Sequence, residues 1–297
     1  MKIDIVVLGY NRPSHTRKVL QSLADNNVKN LFFYLDFSDN VEVKKNQEML
    51  LSFLEEFPSL RINLIKRGNN LGLAQSVRTA LTERFEAGAD GVILLEDDCV
   101  VLPGGMNFFY EGLKSLQSNK RVRSLCGYKP SNCRFVLDPE GDLLLLTRFL
   151  TWGWATWADR WEQYEPDLMK LVQISKMLKI SIEDFSDDLG TICNNTHYLN
   201  GNVDIWSVNW ILLHYLTSTF AVYPAESVIK NIGLDGSGVN CLATQAFSDK
   251  FRNNGFISYN WSNLKYFPEN EEMIRAFMKQ HAKMIYPLLD NQYVPRG

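Results

Sequence analysis

The first hundred residues alternate between two hydrophobic periods, and this alternation constrains the fold more than any other feature of the chain. Residues 3–8 (IDIVVL) are a short β-branched run of buried-strand type, and Asn11-Arg12-Pro13-Ser14 then supplies a helix start, Pro13 being tolerated in a first turn that lacks intrahelical N–H partners. Val19, Leu20 and Leu23 give that helix its inner face. Further strands are predicted at 31–35, 61–65 and 91–95 (GVILL). Between them lie a helix carrying Met49, Leu50, Phe53, Leu54 and Phe57 and a second helix over about 73–85. Neighbouring parallel strands need a crossover long enough to hold a helix, so this order predicts βαβ units. The expected fold class is α/β, with a Rossmann-like, mostly parallel central sheet flanked by helices, in a single domain.

Such sheets bind ligands at the carboxyl ends of their strands. Three strands deliver polar groups to that edge: Gly9-Tyr10-Asn11-Arg12 after the first, Asp36 after the second, and Glu96-Asp97-Asp98 after the fourth. Beyond residue 120 the pattern loosens. Strand-like runs fall at 122–126 and 143–146, followed by Thr151-Trp152-Gly153-Trp154-Ala155-Thr156-Trp157 and Trp161. Residues 165–200 read as polar and weakly helical, with Glu183, Asp184, Asp187 and Asp188 in a solvated acidic run. A helix over 204–216, a strand at 220–223 and the glycine-rich segment 231–238 complete the pattern.

Net charge is −3 and the isoelectric point about 5.9, so no basic excess is available to neutralise a nucleic-acid backbone. Five cysteines without a CxxC pair argue against zinc ribbons and disulfide frameworks, and suit a reducing cytosol. The opening apolar run is too short for a signal peptide, and no apolar stretch nears the ~18 residues of a membrane span. The expected location is cytoplasmic, with peripheral contact at the inner membrane face and a homodimer left open.

Three carboxyl groups directly after a buried strand are costly unless paired or bound to a cation. Hard oxygen ligands of this kind suit Mg2+ or Mn2+ shared with substrate phosphates. A solvated acidic turn at a helix start explains them equally well on local grounds. Capping alone is likewise sufficient for Asn11, and ordinary turn chemistry for Asn70-Leu71-Gly72.

Gly9-Tyr10-Asn11-Arg12-Pro13, Asp36, Asn70-Leu71-Gly72-Leu73, Leu95-Glu96-Asp97-Asp98 and Trp152-Gly153-Trp154-Ala155-Thr156-Trp157 occur in an order that resembles GT-A-type glycosyltransferases. Among these the chain is similar to bacterial surface-polysaccharide transferases and to the N-acetylglucosaminyltransferase I-like group, over residues 1 to about 241. The resemblance implies a nucleotide-sugar donor, most simply a UDP-sugar, a saccharide or lipid-linked saccharide acceptor, and Mn2+ or Mg2+ as cofactor. It makes Asp98 the metal ligand and Asp97 a partner of the donor ribose or of the metal's water. Glu96 would lie by the nucleotide, Asp36 would face the base, and Tyr10, Asn11 and Arg12 would line the pocket. Asn70 and Gly72 would shape the sugar-diphosphate side. Residues 1–120 would hold the donor, 121–241 the acceptor, and 242–297 would be an extension packed on the same domain.

An inverting transferase needs a carboxylate at the acceptor hydroxyl, whose proton leaves as its oxygen attacks the anomeric carbon. Asp204 is the expected base, although a first-turn Asp has an equally good capping explanation. Asp235, in the glycine-rich segment, is a rival. Trp and Tyr stack on sugar C–H faces, so Trp152, Gly153 and Trp154 are expected at the sugar, with the two Trp rings on one strand face. The helix bearing Trp206 and Trp210 is expected to add a flat wall, whereas Trp157 and Trp161 are expected in the core. Asn240 stands where the resembling enzymes often carry a metal-ligating His, which weakens the expected metal affinity. The runner-up readings are a sugar nucleotidyltransferase and a non-catalytic sugar- or nucleotide-binding protein of the same fold.

Overall fold

The computed structural model of the chain describes residues 1–139, 141–199, 204–238, 244, 247 and 258–285. Its first half runs β1 (Ile3–Gly9), α1 (Pro13–Asp25), β2 (Asn30–Leu35), α2 (Val41–Leu54), β3 (Arg61–Lys66), α3 (Gly72–Glu86), β4 (Gly91–Glu96), β5 (Cys99–Val101) and α4 (Gly105–Ser115). There follow β6 (Val122–Cys126), β7 (Leu143–Leu146), β8 (Trp154–Trp157), α5 (Ala158–Trp161), α6 (Leu168–Leu178), α7 (Ile182–Phe185), α8 (Asp187–Cys193) and α9 (Thr196–Leu199). The last elements are α10 (Trp206–Leu216), β9 (Phe220–Pro224), β10 (Ile229–Asn231) and α11 (Pro268–Ile285).

Eight strands form one sheet in the order β3-β2-β1-β4-β8-β6-β9-β7, and β5 and β10 form a separate two-stranded ribbon. The pairs β3–β2, β2–β1, β1–β4 and β6–β9 are parallel, while β8 and β7 enter antiparallel. The fold is therefore a single α/β domain with a mostly parallel central sheet flanked by helices. Its crossovers follow the predicted plan: Pro13 opens α1, which buries Val19, Leu20 and Leu23. The α2 helix is capped by Asn40, whose side chain accepts from the backbone N–H of Glu42 and Val43.

The central strands are buried on both faces, so they read as continuous apolar runs rather than alternating ones. One prediction about the second half fails here. The acidic run over 183–188 is not wholly solvated, because Asp188 pairs at 2.8 Å with Arg148 and both side chains are buried. Asp187 is held at the surface by Arg275 and Lys279 of α11.

Candidate active site at the sheet edge

The chain lays β1, β2 and β3 outward in succession and then returns to place β4 on the other side of β1. The strand order reverses between β1 and β4, a topological switch point of the kind at which open α/β sheets bind ligands in a crevice at the carboxyl ends of their strands. Leu8 pairs with Glu96 in this register, so the two chain exits lie side by side. Arg12, the N-cap residue of α1, crosses the crevice. Its Nη2 donates to Asp97 Oδ1 and, at 2.9 Å, to Asp98 Oδ2.

A third segment closes over this pair. Antiparallel pairing of β10 with β5 sets Asn231 opposite Cys99 and carries the following loop directly onto Asp98. The Ile232 N–H donates to Asp98 O at 2.9 Å. His15 Nε2 lies 3.2 Å from both Ile232 O and Asp235 Oδ2, tying α1 to the same loop. A Cβ on Gly233 would collide with Asp98 Oδ2 and stand 2.8 Å from Arg12 Nη1, so only glycine allows this approach.

The electrostatics of the cluster are set by burial. It pushes the Glu96 carboxyl up to about 8, aided by repulsion from Asp98 and only partly offset by Arg12. Burial likewise raises Asp97, to about 6, against the attraction of Arg12. Burial opposes the Arg12 charge, but Asp97 and Asp98 outweigh it and raise the guanidinium above its ordinary value. One guanidinium against two carboxylates leaves the crevice negative, with a third carboxyl crowded into its neutral form. That donor set fits a hard divalent cation, whose charge would relieve the crowding. Asp98, with Asp97 beside it, would hold the ion, and Arg12 now occupies the facing oxygens of both. Among the described residues no three His, Cys, Asp or Glu side chains form a cage, so an ion here needs ligand oxygens to complete its shell.

Asp36 ends β2 as expected, but its oxygens face the backbone. They accept from the N–H of Phe37 and Leu71 at 2.9 Å and of Gly72 at 2.9 Å, anchoring the start of α3. Asn70 Oδ1 also accepts from the Gly72 N–H, at 3.0 Å, and Gly72 takes the left-handed conformation at φ +68. Gln47 Nε2 bridges Tyr10 O and Asp36 O, fixing the ends of β1 and β2 together. The Tyr10 hydroxyl is 3.3 Å from Ser38 Oγ, and Asn11 lies half-buried beside Arg12. These residues do share one rim, although Arg12 rather than Asn11 takes the N-cap position, without a side-chain cap bond.

Asp204 stands apart from the acidic cluster. The helix begins at Trp206, two residues beyond the expected start, and Asp204 is not its cap. The Asp204 carboxylate instead pairs with Arg78 of α3, one contact being 2.8 Å from Nη1 and the other made through Nη2. The pair lines a cavity of about 190 Å3 together with Asp167, Tyr198, Ile205 and Asn209. Arg78 lies six residues, roughly 9 Å, along α3 from Gly72, so one helix links this cavity to the turn held by Asp36. Neither Arg78 nor His15 was singled out from sequence; with 126 residues between Arg78 and Asp204, no local pattern announces the pair.

The aromatic expectations need correction. Trp154 is wholly buried, stacked on Trp206 at 5.2 Å and edge-on to Phe149 at 4.9 Å, so its ring is a core element rather than a sugar platform. Trp206 and Trp210 are buried in the same cluster, as are Trp157 and Trp161, the two that were expected there. Trp152 is half-buried against Tyr128 and Phe247, whereas Trp154 packs on Phe149, Trp161, Trp206 and Trp210. Gly153 separates them at φ +63, a left-handed turn that breaks the alternation a continuous strand would impose. Residues 200–203, 239–243 (Asn240 and Cys241 among them) and 286–297 lie outside the described residues, as does most of 244–257.

In sequence, no family model and no curated protein matches the chain. In structure it is similar to a mannosyltransferase from Pyrobaculum calidifontis solved with GDP-Man and Mn2+, at a TM-score of 0.39 and 14% identity. That similarity covers 64% of this chain and 51% of the other, about half its length. A candidate nucleotide-diphospho-sugar transferase from Desulfovibrio desulfuricans G20 is similar at a TM-score of 0.34 and 15% identity, over 57% and 68% of the two chains. No residue role follows from likeness of this degree.

Proposed function

We propose that the chain is a GT-A-type glycosyltransferase that moves a sugar from a nucleoside diphosphate, by resemblance a UDP-sugar, to a saccharide or lipid-linked saccharide with inversion. The observation that carries this reading is the meeting of Arg12, Asp97 and Asp98 at the β1/β4 switch point beneath the 232–238 loop. As the glycosidic bond breaks, negative charge builds on the departing diphosphate, and a fixed cation stabilises it where it appears. Arg12 is placed to supply part of that charge once a ligand competes for Asp97 and Asp98. A Mn2+ or Mg2+ ion on Asp98 would supply the rest as a Lewis acid toward the phosphate oxygens. Asp204 is the base, held by Arg78 at the adjoining cavity until the acceptor hydroxyl takes the place of the guanidinium. Donor recognition then belongs to residues 1–120 and acceptor recognition to 121–241, with 242–297 as a packed extension, in a cytoplasmic enzyme of surface-polysaccharide synthesis.

A thermal-shift titration with UDP plus Mn2+ tests the donor half. A ligand at 100 times its Kd adds about 2.7 kcal/mol of stability, and Asp98→Asn is expected to remove the shift. Asp204→Asn is expected to keep the shift and lose transfer. An undiminished shift in the Asp98 variant, or full transfer in the Asp204 variant, overturns the assigned role; a retained anomeric configuration in the product overturns inversion.

A further inference from the structure

The opposite edge of the sheet holds a second charged cavity, of about 420 Å3, lined by Lys120, Arg123, Asp159, Arg160, Gln163, Thr217 and Thr219. It lies where β6 and β9 begin and β8 ends, beside the amino end of β4, and is thus remote from the acidic crevice. Arg123 and Arg160 are both buried, at 3% and 2% exposure. Buried arginines normally meet carboxylates, because an isolated charge loses its hydration and gains nothing in return.

Arg160 meets Asp159 at 2.6 Å, but Arg123 pairs with no carboxylate among the described residues. Four of its five N–H groups go to neutral oxygens: Thr219 Oγ1 at 3.0 Å, Arg160 O at 3.2 Å, Gln163 Oε1 at 2.9 Å and Thr217 Oγ1 at 3.2 Å. Lys120 adds a third cation, also on Asp159. Three cations against one carboxylate leave two positive charges. The carboxyl-terminal ends of α4 and α10, each equivalent to about half a negative charge, offset roughly one of them. About one charge stays unbalanced next to open space. Burial and the neighbouring Arg160 both act against the Arg123 charge, lowering its pKa to about 10, which is the mark of a cation short of a counter-ion.

We infer that this cavity binds a tetrahedral oxyanion of the phosphate class, held by Arg123, Arg160 and Lys120. Two sources share that chemistry, the free ion and the phosphate group of a larger molecule whose remainder would fill the cavity. The test is a calorimetric and thermal-shift titration of the full chain with inorganic phosphate at constant ionic strength, repeated with glycerol 1-phosphate. Saturable binding is expected, persisting in Arg12→Gln, which excludes the crevice as its place. Lys120→Glu should weaken binding about fivefold and Asp159→Asn should tighten it about fivefold, each being an exposed charge beside the anion. Tighter binding of the ester assigns the larger molecule and equal binding the free ion; both support the site. Lack of saturable binding, loss of binding in Arg12→Gln, or one affinity shared by the wild type, Lys120→Glu and Asp159→Asn overturns it. Both surface variants leave the buried arginines in place, so the outcome does not depend on a core substitution being tolerated.

Discussion

Replacing His214 with glutamine is expected to remove a specific acid sensitivity from the fold. His214 is wholly buried, between Phe149 and Trp210. Its Nδ1 lies 3.2 Å from Thr219 O and its Nε2 2.9 Å from Ser124 Oγ, which also accepts from Trp210 Nε1 at 2.9 Å. The chain closes with neutral imidazole: Nδ1–H donates to the carbonyl, and Nε2 accepts the serine proton. A second proton would leave Ser124 facing two donors while burying a charge beside Arg123. Burial, with repulsion from Arg123, accordingly holds the imidazole down to about 3.

The unfolded chain takes up that proton near pH 6.5, whereas the folded chain resists it. Stability from this group is therefore complete above pH 6.5 and lost as pH falls toward 3, at about 1.4 kcal/mol per pH unit. Between pH 6.5 and 5 the loss amounts to about 2 kcal/mol. Glu96 and Asp97, raised in the fold, act in the opposite direction over the same range, so the wild-type profile alone does not isolate the histidine. Their contribution cancels in the difference between wild type and His214→Gln, because neither touches the substituted side chain. Urea unfolding of both proteins at pH 7.5, 6.5, 5.5 and 5.0 gives that difference. The advantage of the wild type should shrink by about 2 kcal/mol from the neutral to the acid end. A difference that stays constant with pH would refute the neutral, fully bonded histidine.

Three other substitutions test the site and its scaffold. Gly233→Ala should forfeit stabilisation by UDP and Mn2+ with little change in the ligand-free melting temperature, since its Cβ displaces the Asp98 carboxylate from Arg12; an unaltered ligand shift would remove the 232–238 loop from the site. Asp36→Ala should cost about 1–2 kcal/mol in urea unfolding, the usual worth of a lost helix cap, because the N–H groups of Leu71 and Gly72 lose their acceptor. Trp154→Ala should cost about 3–5 kcal/mol, as expected for a large aromatic removed from a core, and a loss below ~1 kcal/mol would show that the ring is not packed as described.

Most of the first half was legible in the sequence because each strand and helix there is a local hydrophobic pattern. The pairing of β1 with β4 is a long-range contact that no local pattern states, but given the rule that α/β sheets bind ligands at the carboxyl ends of their strands, the gathering of Arg12, Asp97 and Asp98 at one edge was within reach. The partner of Arg12 was not, since 85 residues separate it from Asp97. Asp36 shows the limit from the other side: its place after β2 was predicted, yet its carboxylate turns to a helix start that only packing brings near. The tryptophans misled because a sugar platform and a core wedge have the same composition. Gly153 decides between them by turning the chain, and the neighbours that bury Trp154 come from Phe149 and from α10.

By itself, then, the sequence determined the α/β class, the parallel βαβ order and the charged rim at the carboxyl edge, all of which follow from short-range periodicity and from what may follow a buried strand. Tertiary structure alone decided which charges neutralise one another. Arg12 with Asp97 and Asp98, Arg78 with Asp204 and Arg148 with Asp188 are long-range pairs, fixed only when the sheet closes. It also decided that Arg123 has no carboxylate partner among the described residues, because a counter-charge depends on distance through space, and separation along the chain carries no such information.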